Sequence, residues 1–407
     1  MMGEIIVVHA AYIMRIVAIW LMVALALAGC WDRREVNDLV IAVAMGVDRS
    51  EEGYTVSVQV VDPAEIASKK GSGRASVTVY KEQGKTVFEA VRRMTTTSAR
   101  KIYFSHLRMF LISEEVAGKG IGHAIEFISR DHEFRTDFYI AIARGSRAEE
   151  ILKAYPAIEK IPAEKMFSSL EMSSKSWAAT GTVKLDELIS DMMTAGKTPA
   201  ITGIRYLGDI KEGETKKNVE ATETPAKLKY EGMAVFRKDR LAGWLNEEES
   251  KGYNYIKGSV RSTVGVISCP DEAGQLTIES IRTNSRIHVN RGSRTPKIDI
   301  HIKATANIGE TQCKDNLADT TVIQELEKIT NRKLALILEK TLKKAHDMKL
   351  DFIGLGAAIH RSAPGAWARL KSNWPERMDS VPVHFHVDVK LRTSGKTKGT
   401  FLEKLKE

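Results

Sequence analysis

A run of apolar residues from Ile16 to Ala28 closes on Leu27-Ala28-Gly29-Cys30, and this ending sets the first 29 residues apart from anything that folds. Export machinery needs a greasy core of roughly 7–15 residues followed by small side chains that fit the signal protease. Here the residue after the small pair is a cysteine, as in lipoprotein signals, where the thiol takes a diacylglyceryl group. The expectation is cleavage between Gly29 and Cys30, lipidation of Cys30, and a mature chain tied by its first residue to the outer face of a membrane. A transmembrane anchor needs about 20 apolar residues, and His9 and Arg15 interrupt the stretch that starts at Ile5. An ordinary secretory signal has no need of a cysteine past its cut. Met14 directly precedes Arg15 and makes a compact start, so residues 1–13 read as an extension ahead of the signal.

Without the signal about 378 residues remain, too many for one core, so two or three domains are expected. The chain is 43% hydrophobic and 28% charged, a globular balance that excludes a disordered chain and an integral-membrane bundle. Its formal charge is +9, and Glu4 and Arg15 cancel in the signal, so the mature part keeps the excess. On a tethered protein such a surface suits anionic headgroups, each nearby Lys or Arg adding on the order of 1 kcal/mol. One acylated residue can carry two chains, as stable anchoring requires. Nucleic acid is not an expected partner, because the charge is scattered and no zinc knuckle or aromatic–basic signature is present. Of three cysteines, Cys30 is assigned to lipid. Cys269 and Cys313 are left as a possible disulfide or as two buried thiols.

Leu39 to Asp48 reads as a buried strand, and Gly53 to Val60 alternates with period two, giving a hairpin. Strands follow at Ser76–Tyr80, Arg108–Ile112 and Phe138–Ala143, with helical spacing over Thr86–Ala99, Gly120–Arg130 and Ala148–Ala154. This alternation implies an α/β or α+β domain. The chain turns polar over 205–229, as a linker or insertion would. Gly232–Phe236 and Arg240–Leu245 make a strand–turn–strand unit, and strands continue over Leu276–Arg286 and Lys297–Ile308. A long helix comes next, with Val322, Leu326, Ile329, Leu336, Leu338 and Leu342 on its apolar face. Thr321 and Gln324 have capping-box spacing at its start. The last strand, Val381–Leu391, puts Val383, Phe385, Val387 and Val389 on one side and His384, His386, Asp388 and Lys390 on the other. The expected boundaries are 1–29 signal, 30–36 anchored stub, 37–150 N-terminal α/β domain, 151–229 middle region with the polar linker, and 230–407 C-terminal α/β domain.

His384-x-His386-x-Asp388 is the best metal candidate, since residues two apart on a strand share a side, but a third convergent ligand is not identifiable. A solvent-facing polar strip is the plainer reading, and no metal site is assigned. Gly354-Leu355-Gly356 resembles a phosphate loop in the wrong order, and a turn ending the long helix needs glycine for its own reasons. Arg130-Asp131-His132-Glu133-Phe134-Arg135 has groups for acid–base work, and a charge network at a turn explains it as well. No G-x-S-x-G elbow, H-E-x-x-H or Walker loop occurs. The residues point to a binding or interaction protein, with no catalytic, cofactor or metal site.

Five strings share one resemblance. They are Gly29-Cys30-Trp31-Asp32-Arg33-Arg34-Glu35, Phe104-Ser105-His106-Leu107, Arg130-Asp131-x-Glu133-Phe134-Arg135, Asp351-x-Ile353-Gly354-Leu355-Gly356, and Pro364-x-x-Trp367-x-x-Leu370-x-x-x-Trp374. In this order the chain resembles the Ger(x)C family, the lipoprotein C subunits of spore-germination nutrient receptors in Bacillus-type bacteria. The resemblance implies a three-domain α/β protein with mixed sheets; together with the residue pattern, the expected fold is a multi-domain α/β (α+β) protein with mixed or antiparallel sheets and a long helix in the C-terminal domain. It implies no enzyme and no cofactor, but a subunit anchored through Cys30 outside the spore's inner membrane, working with integral-membrane A and B subunits to trigger germination. The rival is a solute-binding lipoprotein of a transporter, which needs two doubly wound lobes around a cleft.

Overall fold

The computed structural model describes residues 2–27, 39–61, 75–156, 158–220, 222–270, 274–290, 295–313, 317 and 319–392. The chain divides into two units, Met1–Val40 and Ile41–Glu407. The first holds one described helix, α1 (Met2–Leu27), whose described large apolar side chains, Tyr12 to Met22, are exposed. Among the described residues no helix is long and apolar enough to cross a membrane. Gly29 and Cys30 lie outside the described residues.

The second unit is built on two sheets. The larger has nine strands: β1 (Leu39–Ser50), β2 (Gly53–Val61), β3 (Val77–Gly84), β4 (Lys101–Tyr103), β5 (Met109–Ser113), β6 (Tyr139–Ala143), β7 (Ala200–Gly208), β8 (Ala226–Arg237) and β9 (Arg240–Leu245). Their spatial order is β3-β2-β1-β5-β6-β7-β8-β9, with β4 beside β1. The centre, β1-β5-β6-β7, is parallel, and an antiparallel wing flanks it on each side. Strands β5 and β6 are buried on both faces, which is why they read as unbroken apolar runs rather than alternating ones. Met109 and Leu111 share a core with α5 (Ala148–Lys153) and α6 (Pro162–Ser176). The alternating side chains Phe110 and Ile112 point to the opposite face. The other helices of this region are α2 (Val87–Arg93), α3 (Glu114–Lys119), α4 (Gly122–Arg130) and α7 (Leu185–Met193), with α4 in contact with both α2 and α7.

The smaller sheet runs β10-β11-β12-β13, from β10 (Thr263–Ser268), β11 (Gln275–Asn290), β12 (Lys297–Thr311) and β13 (Val383–Arg392). Its first two pairings are antiparallel, while β12 and β13 are parallel. Parallel neighbours need a long crossover, and the chain supplies it with helix α9 (Thr320–Met348) and those after it. The inner face of this sheet packs on α8 (Glu247–Lys257), on α9 and on α10 (Leu355–Ser362). The same core takes in Ala200, Met233, Val235 and Leu245 from the large sheet, so one apolar cluster joins both sheets. Helix α9 buries Leu326, Thr330, Leu334, Leu338, Thr341 and Ala345, spaced by three and four.

Several details differ from the expected ones. The cap of α9 is Asp319, whose Oδ1 accepts hydrogen bonds from the backbone N–H and hydroxyl of Thr321, in place of a Thr321–Gln324 box. Leu336, placed on the apolar face, is 48% exposed. Cys269 and Cys313 form a disulfide, with Cα atoms 5.5 Å apart, that ties the end of β10 to the end of β12. The polar stretch 205–229 carries the end of β7, two one-turn helices (Ile210–Gly213 and Lys217–Glu220) and the start of β8. Asn218 holds this stretch down, its amide donating to Tyr155 O while its carbonyl accepts from Ala226 N.

Candidate functional site

The residues singled out between Phe104 and Arg135 come together as one lock. The Phe104 and Phe134 rings stack with centroids 4.6 Å apart, and Phe127 meets Phe134 edge-on. Around them the Ser105 hydroxyl donates to Glu133 O at 2.9 Å, Lys101 pairs with the Glu133 carboxylate, and Glu133 N donates to Asp131 Oδ1. The carboxylates of the Arg130–Arg135 stretch therefore tie a turn to β4. His132 is 92% exposed in its side chain, with Nδ1 3.9 Å from Asp131 Oδ1. The charge-network reading of this stretch stands.

The two C-terminal strings form a second lock around Asp351. Its carboxylate is fully buried and accepts four hydrogen bonds: from Gly354 N, Leu355 N, Gly356 N and Trp374 Nε1, at 2.6–2.9 Å. Burial pushes its pKa up, and the four donors pull it back only in part. The glycines do not end the long helix, which stops at Lys349 in a left-handed conformation; Gly354, at φ +87°, opens α10. A helix N-terminus is where a phosphate would bind, and here the protein's own carboxylate occupies it.

Gly356 is needed for close approach. A Cβ there would lie 2.7 Å from Trp374 Nε1 and 2.8 Å from Gly196 Cα. Gly196, at φ +77°, accepts from Ala357 N through its carbonyl, and Thr198 N donates to Asp351 O, so the 194–198 loop is bolted to the start of α10. Trp367 and Trp374 close the lock edge to face at 5.5 Å. Gly356→Ala is expected to cost about 2 kcal/mol through this overpacking, read as a lower urea midpoint; an unchanged midpoint would show that the contact yields freely.

Among the described residues are two clefts lined by charged and polar side chains. One, of about 430 Å³, lies between the α6–α7 connection and the end of α8, and is lined by Lys175, Thr182, Tyr253, Lys257 and Arg261 among others. Lys257 pairs with Glu187 there. Burial lowers its pKa, but Tyr253 and Glu187 outweigh that and leave it raised. The second, of about 660 Å³, lies at the carboxyl ends of β1, β5 and β6 and is lined by Asp48, Ser113, Glu114, Arg147 and Glu150 among others. Open α/β sheets take ligands at this edge. Asp48 is itself buried and engaged, capping α5 by accepting from Ala148 N and Glu149 N at 2.8 and 2.9 Å. Among the described residues no group of three or more His, Cys, Asp or Glu side chains is placed to hold a metal ion.

Residues 32–206 match the family model described as spore germination protein N-terminal domain, and residues 231–395 match that described as spore germination B3/GerAC like, C-terminal. The chain belongs to the Ger(x)C family. It is 28% identical over 383 residues to spore germination protein KC of Bacillus subtilis (strain 168), covering 92% of this chain and 94% of that one. Spore germination protein B3 of the same organism is 23% identical over 378 residues, covering 91% and 95%. Among solved structures, the crystal structure of the GerBC protein matches 88% of this chain and 99% of its own, with a TM-score of 0.54 and 18% identity, and so shares the fold. For a Ger(x)C chain the two locks acquire a meaning. The second bolts a loop of the N-terminal segment (Gly196) to a helix of the C-terminal segment (α10), and β7 of the one pairs with β8 of the other.

Proposed function

We propose that this Ger(x)C chain is the lipid-anchored subunit of a nutrient germinant receptor. Its folded body is tethered by a diacylglyceryl thioether on Cys30 to the outer surface of the spore's inner membrane. The observation that carries the reading is Leu27-Ala28-Gly29-Cys30 at the end of an apolar run. The Cys269–Cys313 disulfide supports it, because such bonds persist in oxidising compartments outside the cytosol. Tethering confines the body to a layer where its effective concentration against integral-membrane A and B subunits is high. Its surfaces then dock on those subunits and pass on, or permit, a nutrient-driven change, without chemistry of their own. The rival transporter reading requires two like, doubly wound lobes, whereas one mixed nine-stranded sheet and one four-stranded sheet are present among the described residues.

Cys30→Ala tests the anchor. The variant is expected to fold with an unchanged circular dichroism spectrum and to move from the membrane pellet to the soluble fraction. Retention wholly in the pellet would remove the argument for a thioether tether.

A further inference from the structure

The 430 Å³ cleft lies on the seam between the two family segments. Tyr139, Lys175 and Thr182 reach it from the N-terminal segment, and Lys257, Arg261 and Thr283 from the C-terminal one. One buried amide ties its walls together. Asn254 Nδ2 donates to Ala178 O at 2.9 Å and to Thr180 O at 3.1 Å, while Asn254 Oδ1 accepts from the Ser259 hydroxyl at 2.9 Å. The loop so held is strained, for Ala178 sits at φ +55°, in the left-handed region that alanine rarely adopts. Strain that the surrounding structure holds in place gathers at ligand sites.

Three polar groups of this cleft are left without partners of their own. Arg261 is exposed and has no carboxylate or ring paired with it among the described residues. Tyr139 is 8% exposed, its ring fixed by stacking on Phe167 at 4.4 Å. Its hydroxyl and that of Thr182 have no hydrogen-bond partner among the described residues. The other two cations are engaged, Lys175 with Glu171 at 3.1 Å and Lys257 with Glu187. Lys175, Lys257 and Arg261 against Glu171 give the lining an excess of two positive charges. The carbonyls at the ends of α6 and α8, whose partial charge would oppose an anion, already accept hydrogen bonds: Lys175 O from Ser262 N, Asn254 O from Ser259 N, and Ile256 O from the Ser285 hydroxyl.

We propose that this cleft binds a small organic carboxylate that carries hydroxyl groups, of hydroxy-acid or sugar-acid size. The planar fork of Arg261 matches a carboxylate bidentately. The hydroxyls of Tyr139 and Thr182 both donate and accept, as a ligand hydroxyl requires. A neutral sugar would leave the guanidinium unpaired, and a bare inorganic anion would leave the hydroxyls unpaired. The volume falls within the range of small-molecule pockets, roughly 300–1,000 Å³. A ligand held from both walls also joins the two family segments.

The full-length protein, purified in detergent in a carboxylate-free buffer, is titrated by calorimetry with gluconate and with malate, and with glucose and inorganic phosphate for comparison. The expected result is one saturable site per chain for at least one of the two acids, with glucose and phosphate weaker by at least about tenfold, the scale of one charge-assisted contact. Arg261→Gln weakens binding of the acid by a similar factor, and Tyr139→Phe by about threefold or more, as the loss of one neutral hydrogen bond does. Lys303→Gln, an exposed change on β12, leaves it unchanged. Since Arg261 is exposed and unpaired, its variant keeps the parent's melting curve without ligand, while the acid raises the melting temperature of the parent more than that of the variant. Saturable binding of neither acid, binding by Arg261→Gln equal to the parent, an equal loss in Lys303→Gln, or glucose or phosphate bound as tightly as the acids would each overturn the proposal. Binding here needs no lipid on Cys30, so the site and the anchor fail separately.

Discussion

Replacing Asp351 by Ala is expected to destabilise the folded body by about 3–5 kcal/mol, the scale seen when one partner of a buried charged network is removed. The carboxylate is the shared acceptor for three backbone N–H groups and one indole N–H, all in a site closed to solvent. Without it those donors are left unpaired, the first turn of α10 loses its cap, and the Trp374 ring loses the bond that orients it against Gly356. Because the 194–198 loop is bolted to the same turn, the damage reaches the joint between the two family segments. Equilibrium urea unfolding of the full chain reads the loss as a lower midpoint. A change under about 1 kcal/mol, the ordinary range for one hydrogen bond, would show that Asp351 does not hold the lock.

Breaking the Cys269–Cys313 bond should have a similar effect by a different route. The cysteines are 44 residues apart, and closing a loop of that length removes enough disorder from the unfolded chain to stabilise the fold by about 4 kcal/mol in the chain-entropy account. The double variant Cys269→Ser/Cys313→Ser is therefore expected to lose about 2–4 kcal/mol. Reduction of the parent by dithiothreitol should shift its urea midpoint to nearly that of the variant. Equal midpoints for the parent with and without reductant would mean that the bond does not form in the protein.

The elements legible in the sequence were those whose local pattern matches their burial. Strand β13 alternates because one face meets α9 and the other meets solvent, and α9 repeats at three and four because one stripe meets the sheet. Helices α6 and α8 were not legible. In α6 only Pro162, Ala163, Met166 and Leu170 are buried, a stripe too narrow to stand out. Helix α8 opens on three glutamates and carries a glycine, yet it is buried along most of its length because Lys251 lies over Trp177 and Tyr253 packs on Phe352. Its signals were at its ends: Asn246 and Glu249 cap each other's backbone N–H groups, and Gly258 takes the left-handed C-cap. Strand β8 begins with Lys227 and Lys229 facing outward, which makes a strand resemble a linker.

The family strings were legible as strings but not as contacts. Nothing in the sequence says that Phe104 stacks on Phe134, or that Gly196 touches Gly356, since those pairs close only when the sheets are built. The same holds for His384 and His386. The strand spacing exposed two imidazoles, but the carboxylate that His386 bonds, Asp299, comes from β12, far away in the chain.

The measurement that bears most directly on the anchored-subunit account is mass spectrometry of the N-terminal peptide from protein extracted from spore membranes. The account predicts a chain that begins at Cys30 and carries a diacylglyceryl thioether on its sulfur. A peptide that retains Leu27-Ala28-Gly29, or a Cys30 with a bare thiol, would contradict it.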